Sequence, residues 1–162
     1  MTTLSATNLT GVLAHAAQNA ERGSDLVIAS GQVVAKRVAL GVAAAFDPLR
    51  ADHAEFGRMV PEKVEALSAA GQIVLDHSGD ANAHIARLAS HEMLATARAT
   101  LAMAGCTSPA ALMQAQMSFA LGWFERATAN FFALGLLTLK AQDAAMAPFR
   151  ATVAANGARL AA

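Results

Sequence analysis

The sequence predicts an all-α protein, built from elongated amphipathic helices that form a helical bundle or a short coiled coil. Three observations carry this. Ala makes up roughly a quarter of the 162 residues, and with Leu and Met it gives a strongly helix-forming composition. No stretch alternates apolar and polar residues with period two for long, so no strand is required. Apolar residues recur instead at helical spacing between a few breakers, chiefly Gly23, Asp47-Pro48, Gly105 and Pro148.

Taken in order, Met1–Asn8 reads as a loose tail and Leu9–Arg22 as a weak helix ended by Gly23. Residues 1–24 therefore read as an N-terminal segment and residues 25–162 as one helical domain. Ser24 or Asp25 caps a helix running to Phe46, with Val27, Val34, Val38, Val42 and Ala45 on one stripe. Asp47-Pro48 places a cap before a proline at the first helical position, a start signal for the next helix. Pro61 lacks an amide donor and is expected to kink or restart that helix, with Glu62 and Glu65 in the new first turn. Ser78-Gly79-Asp80 is a second weak point. Gly105 ends this stretch, Ser108-Pro109 caps and starts another helix, and Pro148 kinks it or splits off Phe149–Leu160.

The helix after Ser108 is the most informative. It carries Phe119, Trp123, Phe124, Phe131 and Phe132, and its only charges before Lys140 are Glu125 and Arg126. Met113, Met117, Ala120, Phe124, Ala127, Phe131, Leu134, Thr138, Ala141 and Ala145 alternate spacings of four and three, which is a heptad seam. Leu112, Phe119 and Leu137 fall on another side. A helix apolar on more than one side needs a cover on more than one side. The seam with Phe124, Phe131 and Leu134 is the better candidate for a bundle core, leaving Phe119 and Leu137 as an accessible patch.

Several function classes are disfavoured. Twelve acidic residues balance twelve basic ones, so no long-range field attracts nucleic acid. Cys106 is the only cysteine, which excludes an intramolecular disulfide, and it reads as a small apolar filler at a helix end. No transmembrane insertion is expected: Ala99–Phe124 is interrupted by polar residues, and Phe131–Leu139 is shorter than the roughly 18 residues a span requires. Phosphate-loop, nucleophile-elbow and zinc-ligand spacings are absent. Asp47, Asp52, His53 and Glu55 resemble an acid/base group but read more simply as helix-start residues. His77, His84 and His91 recur every seven residues and so share one face, at a separation of about 10.5 Å per step that is too long for two of them to bind one metal. No cofactor, metal or catalytic residue is assigned.

Against this background, the stretch Asp52–Ala66, and within it Arg58-Met59-Val60-Pro61-Glu62-Lys63, resembles the phasins of the alphaproteobacterial branch. These proteins coat polyhydroxyalkanoate (PHA) granules in bacteria. The helix beginning Val27-Ile28-Ala29-Ser30, the Asp47-Pro48 link and the segment Ala141–Pro148 are similar as well, so the resemblance spans the chain from about Asp25 onward. It implies a non-enzymatic, often homo-oligomeric coat at the polyester–cytoplasm boundary. Such a coat limits coalescence, tunes granule number and size, and meets other granule proteins. The granule-binding or oligomer surface is then expected among Leu112, Phe119, Trp123, Phe124, Phe131, Phe132, Leu134 and Leu137. A helical protein–protein interaction or regulatory module without polymer binding is the alternative.

Overall fold

The computed structural model describes residues 2–161. Three long helices account for nearly all of them: α1 (Thr2–Phe46), α2 (His53–Ala104) and α3 (Pro109–Arg159), with a short 3-10 turn at Pro48–Arg50 between the first two. There is no strand among the described residues, so the all-α bundle expectation is borne out. At 45, 52 and 51 residues these helices far exceed the usual length of about 11–12.

Several expected breaks are not breaks. α1 runs unbroken through Gly23, which ends no helix and has open space where a side chain would stand. The tail expected before Leu9 is helical from Thr2. Ser78-Gly79 lies within α2, and Pro61 and Pro148 lie inside α2 and α3, so neither proline restarts or splits its helix. Each proline removes one backbone hydrogen bond from a helix held by many others, and the long helix absorbs the loss. Gly105 does end α2, and Ser108 does start α3: the Ala111 amide donates to Ser108 Oγ at 3.2 Å. The start of α2 lies five residues later than expected. Asp47-Pro48 opens the 3-10 turn, and Asp52 is the cap, its Oδ1 accepting from the Glu55 amide at 2.9 Å.

The chain divides into two units. The first comprises the chain up to Leu13 and His77–Thr138; the second comprises Ala14–Asp76 and Leu139–Ala162.

In the second unit the covered stripe of α2 is Glu55, Met59, Glu62, Ala66, Ala70 and Ile73, with Phe56 half-buried beside it. In the first unit the stripe on α2 is His77, Ala81, His84, Leu88, Glu92, Ala95, Ala99 and Met103. On α3 it is Ala111, Ala115, Phe119, Gly122, Arg126, Asn130, Ala133 and Leu137, joined beyond Arg126 by the half-buried Ala127, Thr128, Phe132, Leu134, Gly135 and Leu136. Each stripe steps by three and four in a pattern that repeats every eleven residues. Eleven residues in three turns lies close to the natural helical repeat, so one stripe stays covered without the left-handed supercoil that a strict heptad imposes. The same geometry separates the three histidines: His77 and His84 are half-buried, while His91 has drifted to the exposed side.

The covered stripes mix small and polar residues with a few larger apolar ones such as Leu88, Phe119 and Leu137. The buried apolar residues are Val33, Ala66 and Ala70, and the buried polar ones are Glu55 and Asn156. Ion pairs hold this interior together. In the second unit Arg37 donates to Glu55 Oε1 from Nε at 3.0 Å and Nη2 at 2.8 Å. Arg159 Nε donates to the other oxygen at 2.8 Å. Glu62 joins the cluster at 3.2 Å from Arg37 and 2.8 Å from Arg159. Asn156 Oδ1 accepts from Arg159 at 2.7 Å. Nearby in the same unit, Asp143 pairs with Arg22 and, at 2.9 Å, with Arg150. In the first unit Arg126 grips Glu92 with two bonds, at 2.6 and 3.2 Å. Gly122 makes room for that guanidinium, because a Cβ there would lie 3.1 Å from Arg126 Nη1.

Candidate functional site

The large apolar side chains that a soluble bundle normally hides are on the outside. Along α1, Val27, Val34, Val38 and Val42 form the stripe expected from the sequence, and all are exposed. Along α3, Met113, Met117, Phe124 and Phe131 of the heptad seam are exposed, with Leu121 beside them. Phe124 retains 67% and Phe131 73% of its accessible surface. This corrects the assignment of Phe124 and Phe131 to the bundle core, while Ala127, Leu134, Ala141 and Ala145 of the same seam are half-buried. The covered side of α3 in this unit is the one with Phe119 and Leu137, both half-buried. The inversion has a physical cause: long helices approach closely only where residues are small, and α3 puts Ala111, Ala115, Gly122 and Ala133 on its covered side. Met113, Met117, Phe124 and Phe131 stay outside that contact.

Of the remaining site residues, Leu112 and Trp123 are exposed, and Phe132 and Leu134 are half-buried. Phe131 and Phe132 meet edge to face with centroids 5.7 Å apart. The Arg126 guanidinium lies 6.0 Å from the Phe119 ring. Phe119, Ala120 and Trp123 line a shallow groove on the first unit with Glu92 and Thr96.

The motif Arg58–Lys63 divides between two faces. Met59 and Glu62 belong to the covered stripe, and Arg58, Val60, Pro61 and Lys63 are exposed.

The conceivable acid/base group does not assemble. Asp52 caps its helix, His53 Nε2 lies 3.3 Å from the Pro48 carbonyl oxygen, and Glu55 is taken up by Arg37 and Arg159. No group of three or more potential ligands is placed to hold a metal among the described residues.

The carboxylates of the ion-pair clusters titrate below their ordinary range. Hydrogen bonds from Arg159, then Arg37, outweigh the cost of burial at Glu55. At Glu62 burial pushes upward, but Arg159 and Arg37 together prevail. Arg22 and Arg150 lower Asp143, and Arg126 lowers Glu92. These groups are fixed as ions and committed to one another, which suits a structural role.

Sequence reasoning missed the role of Glu55 and Glu62. The available signal was their place on a stripe otherwise made of Met59, Ala66, Ala70 and Ile73, where a carboxylate requires a cation from another helix. One helix bears on the expectation about membranes. Leu9–Phe46 is long and apolar enough to cross a bilayer by length and composition, its most apolar 18-residue window having a mean hydropathy of 1.5. Every 18-residue stretch within it nevertheless contains Glu21 and Arg22 or Lys36 and Arg37.

A family model described as phasin protein matches residues 54–153. No curated protein and no solved structure matches the chain.

Proposed function

This chain belongs to the phasin family, and from that membership we propose how it coats a PHA granule. Phasins are structural granule proteins rather than an enzyme family, and the chain is accordingly a PHA granule-associated protein. In our reading it lays the exposed seam Met113, Met117, Leu121, Phe124 and Phe131 on the polyester, and α1 adds Val27, Val34, Val38 and Val42. The observation that carries this reading is the inversion itself, with paired ions on the covered stripes and the bulky apolar residues outside. Fully burying one such side chain is worth about 1.5–3 kcal/mol, so these five residues supply on the order of 7–15 kcal/mol before orientation and ordering costs. No pocket is needed for adsorption of this kind.

A layer of such molecules presents charged side chains to the cytoplasm and keeps polymer surfaces apart. That would limit coalescence and set granule size and number. Away from polymer, the same seams can pair between copies, so adsorption and homo-oligomerisation compete for one surface. Other granule proteins would meet the outer, charged side. α1 lies in the interface rather than across a bilayer. Centring Lys36 and Arg37 in a membrane costs roughly 2.5–3.5 kcal/mol each, and Arg37 would have to leave Glu55 and Glu62.

Purified protein incubated with polyhydroxybutyrate beads tests this. Adsorption without any partner protein supports the coat reading, and its loss in Phe124→Ser/Phe131→Ser places the contact on the seam. A protein that stays in solution until another protein is added would favour the interaction-module alternative.

A further inference from the structure

In the second unit α1, α2 and α3 enclose a groove of about 400 Å³. Its chemistry changes from end to end. Val33, Val34, Ala66, Leu67, Phe149 and Val153 make one end and the walls mainly apolar, with the hydroxyls of Ser30 and Thr152 among them. Arg37, Glu62, Lys63 and Asn156 gather at the other end, where the ion-pair cluster lies. With the rest of the cluster counted, three cations (Arg37, Arg159 and Lys63) stand there against two carboxylates (Glu55 and Glu62). Arg37 is already held by Glu55 and Glu62, and Lys63 makes no ion pair among the described residues. Its helical neighbours three and four residues away, Met59, Val60, Ala66 and Leu67, offer it no carboxylate.

We propose that this groove binds one molecule of a straight-chain, medium-length alkanoate, with its carboxylate at Lys63 and its chain along Val33, Ala66 and Phe149. The volume falls within the range of small-molecule sites, and the mixture of apolar walls with a few polar groups at one end is the pattern such sites show. From Asn156 to Phe149 is seven residues, or about 10.5 Å along α3, so the site is too short for a long-chain lipid lying extended. The surplus positive charge selects an anion over a neutral or cationic head group. The site is distinct from the α3 seam laid on the granule, and Val34, on its rim, is the residue it shares with the α1 stripe.

Isothermal titration of the full-length protein with octanoate, octanol and octyltrimethylammonium, all below micelle formation, tests the assignment. Octanoate is expected to bind at one molecule per chain and more tightly than the other two. Lys63→Glu should weaken octanoate binding about fivefold, the scale of an exposed ion pair lost and reversed. Val34→Trp, a change at an exposed position on the rim, should block the groove without touching the ion-pair cluster. Phe131→Ser should leave octanoate binding unchanged. Equal binding of octanol, a stoichiometry of several per chain, or insensitivity to both Lys63→Glu and Val34→Trp in folded protein would each overturn the proposal. Circular dichroism of every variant separates these outcomes from misfolding.

Discussion

Replacing Glu55 by Gln removes one negative charge from the best-buried polar position in the chain while conserving volume. The Glu55 carboxylate is 2% exposed and accepts from Arg37 and Arg159, on two different helices. Removing one partner from a buried ion pair typically costs about 3–5 kcal/mol, because the opposite charge is left without compensation. Here Glu62 remains within 3.2 Å of Arg37 and 2.8 Å of Arg159 and takes over part of the role. The expected loss is therefore about 2–3 kcal/mol, or roughly 5–10 °C in melting temperature for a chain of this size. Thermal melts followed by circular dichroism at one fixed protein concentration measure it, since self-association would otherwise shift the midpoint. Glu65→Gln, at an exposed position on the same helix, serves as the control and should change stability by less than about 0.5 kcal/mol. A Glu55→Gln protein that melts with the wild type would refute the view that ion pairs hold the second unit together.

The pH profile should follow from the same groups. Glu55, Glu62 and Asp143 have folded-state values below their unfolded ones, so their stabilisation is complete at neutral pH and disappears as pH falls through the folded values. Melting temperature should be flat from about pH 5 to 8 and fall below about pH 4, where unfolded carboxylates take up protons. Phe124→Ser/Phe131→Ser should change melting by no more than about 2 °C, because both rings are already in solvent. Phe119→Ala, on the covered side, should cost more, about 1–2 kcal/mol, short of the 3–5 of a fully buried ring. Pro61→Ala should raise melting temperature by several degrees, since it restores a donor and removes a ring clash inside α2, and should leave granule targeting intact.

The all-α class was legible because propensity and spacing agree from α1 to α3. The capping signal at Ser108 was legible too, because a cap is a local event. Gly23, Pro61 and Pro148 misled for the opposite reason. Their local cost is real, but it is small beside the hydrogen bonding and packing of helices 45 to 52 residues long. The valines of the α1 stripe share one exposure, whereas the α3 seam divides. Leu134 is half-buried, but Phe124 and Phe131, assigned inward on the rule that the most apolar face is buried, are exposed. That rule fails when close approach between helices selects Ala and Gly for the interior. The Glu55 cluster was hidden because it joins Arg37, Glu55 and Arg159, and sequence spacing says nothing about residues 104 positions apart. The eleven-residue repeat becomes plain once small and polar positions are read as the covered stripe.

The most direct test of the seam as the granule contact is fluorescence imaging in polymer-accumulating cells. A fluorescent fusion of the wild-type chain is compared there with the same fusion carrying Phe124→Ser and Phe131→Ser. The wild type should form rings around the granules, and the variant, with its helicity and melting preserved, should spread through the cytoplasm. Rings equally bright for both proteins would show that the chain reaches polymer through another surface, and would contradict the placement of the seam on the granule.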